Sequence, residues 1–147
     1  MMLCLAEDFL KDAGADARLI DGYVLDAGQP TTHYNVLRER GMDTRLVRVD
    51  EAAPLWYVDR SYKERYTPDL LIIAADHEMV NRMEQNVMFH TALKHMDYPE
   101  DRMEFRLMKG FRHCGYCGYQ DEKGVYVFAE MIAAFIRRCQ ERRNMVS

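Results

Sequence analysis

The sequence predicts an α/β fold in which a parallel sheet is flanked by helices, and three observations support this. Residues 69–75 follow a proline and are apolar on both faces, as expected of a parallel strand covered by helices on each side. A long helical periodicity occupies residues 125–139 near the end of the chain. Between them lie a second helical segment and a second strand, and this alternation favours right-handed crossovers within one parallel sheet.

The elements before the buried strand are a helix and a short strand. Apolar residues recur at helical spacing over residues 2–10, and Gly14 is placed to terminate that helix. Residues 22–28 form a β-rich run that ends in a Gly-Gln-Pro turn. The segment 31–67, which is rich in charges, then forms an insertion between the two strands.

The elements after the buried strand alternate helix, strand and helix. Residues 80–96 carry an apolar stripe of Val80, Met83, Val87 and Leu93, with Arg82 assigned to the solvated side. Residues 103–107 alternate as in a strand with one wetter face, and Gly110 ends it. The core-facing positions of the last helix are Val125, Phe128, Ala129, Ile132, Phe135, Ile136 and Cys139.

Composition and charge exclude several classes of function. The 147 residues are 48% hydrophobic, so we expect a single domain over residues 1–147 with one core. The formal charge of −4 provides no basic field, and we expect neither nucleic acid nor membrane partners. Four cysteines do not make a disulfide framework in a chain of this size, which favours a reduced, cytoplasmic setting.

Two polar residues are placed where parallel sheets carry their chemistry. Asp76 directly follows the buried strand, and His113 lies a few residues after the next one. Loops at the carboxyl ends of parallel strands converge on one crevice, so a carboxylate and an imidazole can meet there. That pair would orient a general base. His77 and Glu78 are competing candidates, ranked lower because the strand end aims Asp76 most directly into the crevice.

These features resemble the last third of α/β-hydrolases of the esterase, lipase and serine-peptidase type. The resemblance rests on residues 70–76, the helix to 96, the strand to 108 and the Gly-Phe-Arg-His turn at 110–113. It implies a partial α/β-hydrolase fold, with 31–67 in the place of the cap or lid. The catalytic order Ser-Asp-His of that family implies Asp76 as acid and His113 as base.

The resemblance also implies what this sequence lacks. There is no Gly-x-Ser-x-Gly nucleophile elbow, and the only serines are Ser61 and Ser147. The first helix is similar to the one that follows the elbow, so the serine is expected in a missing N-terminal half. The implied reaction is acyl transfer on a small ester or amide without a cofactor, and this chain alone is expected to be inactive as a hydrolase.

Two other classes of function stay open. The Cys114-Gly115-Tyr116-Cys117 segment has the spacing of a redox dithiol, but in thioredoxin-like folds that motif opens a helix near the start of the domain. One such pair supplies only two zinc ligands, and His33, His90 and His95 show no metal spacing, so no metal site is predicted. The chain could instead be a non-catalytic remnant or an interaction subunit that self-associates through an exposed sheet edge.

Overall fold

A parallel sheet of three strands lies at the centre of the chain. The computed structural model describes residues 1, 5–59 and 66–146. The strands are β1 (Gly22–Asp26), β2 (Asp69–His77) and β3 (Met103–Arg112). They pair in the order β1-β2-β3, both pairs parallel, with Leu25 opposite Ile72 and Ile72 opposite Phe105. The predicted α/β architecture is thereby confirmed, and all three carboxyl ends lie at one edge of the sheet.

Strand β2 carries the core on both of its faces. Leu70 and Ile72 point into one apolar cluster, and Leu71 and Ile73 point into another on the opposite face. All four side chains are buried, and each contributes roughly 1.5–3 kcal/mol by leaving water. This explains why the sequence of β2 lacks the alternation seen in β3, where one side is partly exposed.

Helices cover both faces of the sheet. The described α-helices are α1 (Asp8–Asp12), α2 (Tyr34–Glu39), α3 (Arg82–His95) and α4 (Val127–Val146), of which α3 packs on one face and α4 on the other. The first helix is shorter than predicted, since residues 5–7 precede it and residues 2–4 lie outside the described part. In α4, Phe135 and Cys139 are buried as predicted, whereas Ile136 is half exposed. Among the described residues, no helix is both long and apolar enough to cross a bilayer.

The buried face of α3 differs from the apolar stripe that its sequence suggested. Val80 precedes the helix and is 90% exposed, and Val87 is 42% exposed. The buried side instead carries Phe89 and Leu93 together with three polar side chains, Arg82, Gln85 and Asn86. The predicted stripe was right for Leu93 but wrong for Val80 and Val87, because the polar groups on the buried side have partners in the turn after β1, which the sequence of the helix does not reveal.

The segment between β1 and β2 covers the same face of the sheet as α3. Its side chains Leu55, Tyr57 and Val58 pack against the cluster that contains Leu70 and Ile72. The ring of Tyr57 also meets Phe9 edge-on at 5.5 Å, so the aromatic residues of this segment serve partly to pack it.

Asp50 organises the polar part of this segment. Its carboxylate accepts hydrogen bonds from the Thr32 hydroxyl at 2.8 Å and from Arg40 and Arg48, each at 2.7 Å. Burial acts to raise the pKa of Asp50, but the donors from Thr32, the Ala52 amide and the two arginines together hold it well below its ordinary value. The segment is therefore tied together around one ionised carboxylate.

Candidate functional site

Strands β2 and β3 both run further than the sequence indicated. Strand β2 continues through His77, which lies opposite Arg112, after an irregularity in register between Ala75 and His77. Strand β3 continues through Gly110, which adopts a left-handed φ of +79° and so does not end the strand as predicted. The first residues beyond the two strands are consequently Glu78 and His113.

Glu78 and His113 meet at the carboxyl edge of the sheet. The Oε1 atom of Glu78 lies 2.5 Å from Nδ1 of His113 and also accepts the Met79 amide at 3.0 Å. The Glu78 side chain is 1% exposed, whereas that of His113 is 40% exposed. A buried carboxylate is thus held against one ring nitrogen, while the imidazole itself stays accessible.

Asp76 occupies a different position from the one predicted. Its Oδ1 atom accepts the Gly110 amide at 2.8 Å and lies 3.2 Å from Nδ1 of His77. The Gly110 amide is the main reason that the pKa of Asp76 lies below its ordinary value. The predicted contact between Asp76 and His113 was therefore wrong. Asp76 lies within β2 and bonds across to the backbone of β3, and Glu78 makes the contact with His113.

Arg82 is buried beside this pair and ties α3 to the turn after β1. Its guanidinium donates to the Ala27 carbonyl at 3.0 Å and to Oε1 of Gln29 at 3.1 Å. Burial lowers the pKa of Arg82, and the negative charge of Glu78 acts in the opposite direction. The charge of Glu78 therefore partly offsets the effect of burial on the Arg82 guanidinium.

A second cluster of polar side chains lies at the same edge of the sheet and includes the two cysteines of the Cys-x-x-Cys segment. One carboxylate oxygen of Asp26 and the Sγ atoms of Cys114 and Cys117 all lie within 4.8 Å of one another. The hydroxyl of Tyr116, whose side chain is fully buried, donates to Asp26. Burial is the main cause that raises the pKa of both Tyr116 and Cys114.

The environment of Cys114 differs from that of a redox dithiol. Both cysteines are outside any disulfide. Residues 113–118 form a turn, so the pair does not open a helix. The raised pKa of Cys114 is opposite to the lowered value that makes a thiol nucleophilic. These observations disfavour the thioredoxin-like alternative.

The sequence placed His113 at this edge of the sheet and ranked Glu78 below Asp76, but it did not single out Asp26, Tyr116 or Arg82. For Asp26 a signal was present, because it ends β1 at the same edge of the sheet as Asp76 in β2. Tyr116 and Arg82 gave no such signal. In the sequence, Tyr116 resembles any apolar core residue, and Arg82 resembles a solvated helix residue.

Comparison with known proteins supports the fold. No family model matches the sequence, and no curated protein matches it. Two solved structures do match, both of esterase 2 from Thermogutta terrifontis. One is the enzyme phosphoramylated by tabun, with a TM-score of 0.51 and 17% identity over 80% of this chain and 41% of that one. The other, described as a thermophilic esterase with propionate bound, has a TM-score of 0.52 and 16% identity over 80% and 42%.

These matches fit a partial α/β-hydrolase fold. The chain spans about two fifths of the length of the matched esterases, since 41% and 42% of those chains are covered. At identities of 17% and 16%, the likeness concerns the path of the backbone.

Proposed function

We propose that this chain supplies the acid–base half of a serine-hydrolase site that acts on carboxylic esters or amides. The observation that carries the proposal is the buried carboxylate of Glu78 against Nδ1 of His113, at the carboxyl edge of a parallel sheet. A base held by a buried orienting group is the arrangement that activates a hydroxyl nucleophile. The esterase-like fold supports the same reaction class.

In the proposed reaction, His113 donates Nδ1–H to Glu78, which leaves Nε2 free to accept a proton. A serine hydroxyl loses its proton to Nε2 as its oxygen attacks the carbonyl carbon. The protonated imidazole then gives that proton to the departing alcohol or amine, and an acyl-enzyme remains. Water repeats the two transfers and releases the carboxylic acid. Glu78 fixes the tautomer and stabilises the imidazolium, an effect strengthened by its burial.

Asp76 receives a revised role in this proposal. The family pattern implied that Asp76 is the acid of the triad, but its carboxylate bonds to the Gly110 amide, three residues before His113. We therefore assign Asp76 as a positioning residue, which fixes the end of β3 and hence the backbone that leads to His113. The triad acid is assigned to Glu78.

The proposed nucleophile lies outside this sequence. No described residue is a serine, and neither Ser61 nor Ser147 belongs to the described part of the chain. The matched esterases are more than twice as long as the stretch that this chain covers. We propose that a segment N-terminal to residue 1 contributes both the serine and the oxyanion donors, so that the two parts together form the active site.

The proposal is tested by comparing the 147-residue chain with a longer chain that includes the upstream coding sequence. In the presence of the short chain, p-nitrophenyl butyrate should be hydrolysed at a rate close to that measured in buffer without protein. The longer chain should turn over, and a fluorophosphonate probe should label its upstream serine. His113→Ala should lower turnover on the order of 10⁶-fold, as removal of the base does in a serine protease. Turnover by the short chain, or activity that survives His113→Ala, would refute the proposal.

One observation favours a second function, that of an interaction subunit. Within the described residues, β1 pairs with one strand, β2, and so lies at an edge of the sheet. Val24 on this strand is 37% exposed, and Ile136 on α4 is half exposed. An edge strand with exposed apolar side chains nearby is suited to binding another chain, and we propose that this chain self-associates there.

A further inference from the structure

Three candidate metal ligands converge next to His113 from distant parts of the sequence. Asp26 ends β1, and Cys114 and Cys117 lie in the turn that follows β3. Their ligand atoms lie within 4.8 Å of one another. In a tetrahedral zinc site, bonds of about 2.0–2.3 Å place neighbouring ligand atoms roughly 3.5–3.8 Å apart. A contraction on the order of 1 Å would therefore bring these atoms into coordination geometry.

The surroundings of Asp26 match those of a metal-binding carboxylate. The Tyr116 hydroxyl donates to its Oδ1 atom, which leaves the other oxygen for a further partner. Tyr116 is fully buried against the cluster that contains Phe135 and Cys139, so its hydroxyl has a fixed position. Ligating carboxylates in metal sites are typically oriented by such an outer hydrogen bond.

The backbone places both thiols on the side of Asp26. Cys114 has a left-handed φ of 55°, which residues with a side chain seldom adopt. Two turn hydrogen bonds hold this conformation, from the Gly115 amide to the Arg112 carbonyl at 2.9 Å and from the Cys117 amide to the Cys114 carbonyl at 3.1 Å. A Cys-x-x-Cys pair in a turn after a strand is also the way in which many zinc sites present two thiolates.

We propose that the chain binds one zinc ion through Asp26, Cys114 and Cys117, with water in the fourth tetrahedral position. Two thiolates make the site soft, which favours zinc over magnesium or calcium. Binding displaces the thiol protons, so the ligands carry three negative charges against the two positive charges of the ion. The sequence predicted no metal site because it shows only the cysteine pair. The third ligand is 88 positions before Cys114 and is contributed by the fold.

The proposal does not depend on the hydrolase function, and its test needs no substrate. The full chain is titrated with Co²⁺ under a non-chelating phosphine reductant, and absorbance is followed in the near ultraviolet and visible range. A thiolate-to-cobalt charge-transfer band should appear and saturate at one equivalent, and one equivalent of Zn²⁺ should remove it. Absence of that band would overturn the proposal, as would saturation at several equivalents.

Substitutions of the proposed zinc ligands test which side chains bind the ion. Cys117→Ser and Asp26→Asn should each weaken Zn²⁺ binding by at least roughly tenfold. That is the smaller end of the loss typical when a residue that only hydrogen-bonds to a metal ligand is removed. Cys117 is exposed, and asparagine keeps an acceptor for Tyr116, so both variants should retain the circular dichroism of the parent. Cys139→Ser is the matched control, because that thiol lies outside the cluster. Unchanged binding by Asp26→Asn, or binding lost in Cys139→Ser alone, would contradict the assignment.

Discussion

Glu78 and His113, 35 positions apart in sequence, are each the first residue beyond one of two neighbouring parallel strands, and their side chains meet at 2.5 Å. Adjacent strands lie about 4.8 Å apart, so residues that leave them at the same edge are within reach of one another. The parallel pairing of β2 and β3 therefore creates this contact. Which two residues make the contact depends on where each strand ends.

The first prediction separates Glu78 from Asp76 as the partner of His113. In the complete enzyme, Glu78→Gln should lower kcat by about 10⁴-fold, because an amide no longer holds the productive tautomer or stabilises the imidazolium. Asp76→Asn should have a much smaller effect, since the amide oxygen can still accept the Gly110 amide. Steady-state kinetics on p-nitrophenyl butyrate measure both. A larger loss in Asp76→Asn would restore the assignment made from sequence.

The second prediction concerns pH and Asp50. Its pKa is lower in the folded chain than in the unfolded chain, where aspartate has a pKa of about 3.9. Its stabilising contribution is therefore complete above that value and is lost as the pH falls below it. Asp50→Asn should lower the urea midpoint at pH 7, and the difference from the parent should shrink at pH 3. Asp43→Asn is the control, since its partner Arg45 is exposed. An equal effect of both variants at pH 7 would contradict the central role of Asp50.

The third prediction tests which face of α3 is buried. Phe89→Ala should destabilise the chain by about 3–5 kcal/mol, because a fully buried ring is removed from the core. Val87→Ala, two residues earlier on the same helix, should change stability by less than about 0.5 kcal/mol, since Val87 is exposed. Urea unfolding followed by circular dichroism gives both values. Comparable losses would mean that Val87 is covered in solution.

The fourth prediction concerns β1, which lies at one edge of the described sheet. If the isolated chain self-associates through β1, Val24→Lys should shift it toward monomer, because a charged residue opposes strand pairing at an edge. Leu19→Lys is the control, since Leu19 is exposed outside the sheet. Sedimentation velocity over a range of concentrations reports the change. Identical behaviour of the two variants would place the contact elsewhere.

The sequence came closest to the structure where an element is decided by its own residues. Strand β2 is apolar at every position from Leu70 to Ala75, and only a strand covered on both faces accommodates that pattern. The helix at the end of the chain is similarly marked by its periodicity, with Phe135 and Cys139 buried. The sequence was less informative for α3, because the partners of Arg82 and Asn86 lie in the turn after β1, more than 50 residues away.

The sequence by itself determined the α/β class, the order of the elements and His113 as the imidazole at the edge of the sheet. These follow from local patterns of apolar residues and from the rule that parallel strands place chemistry at their carboxyl ends. Only the tertiary structure decided that Glu78 contacts His113 and that Asp26 joins the cysteine pair. A side chain changes direction with each residue of a strand, so a strand end displaced by one or two residues changes which groups meet.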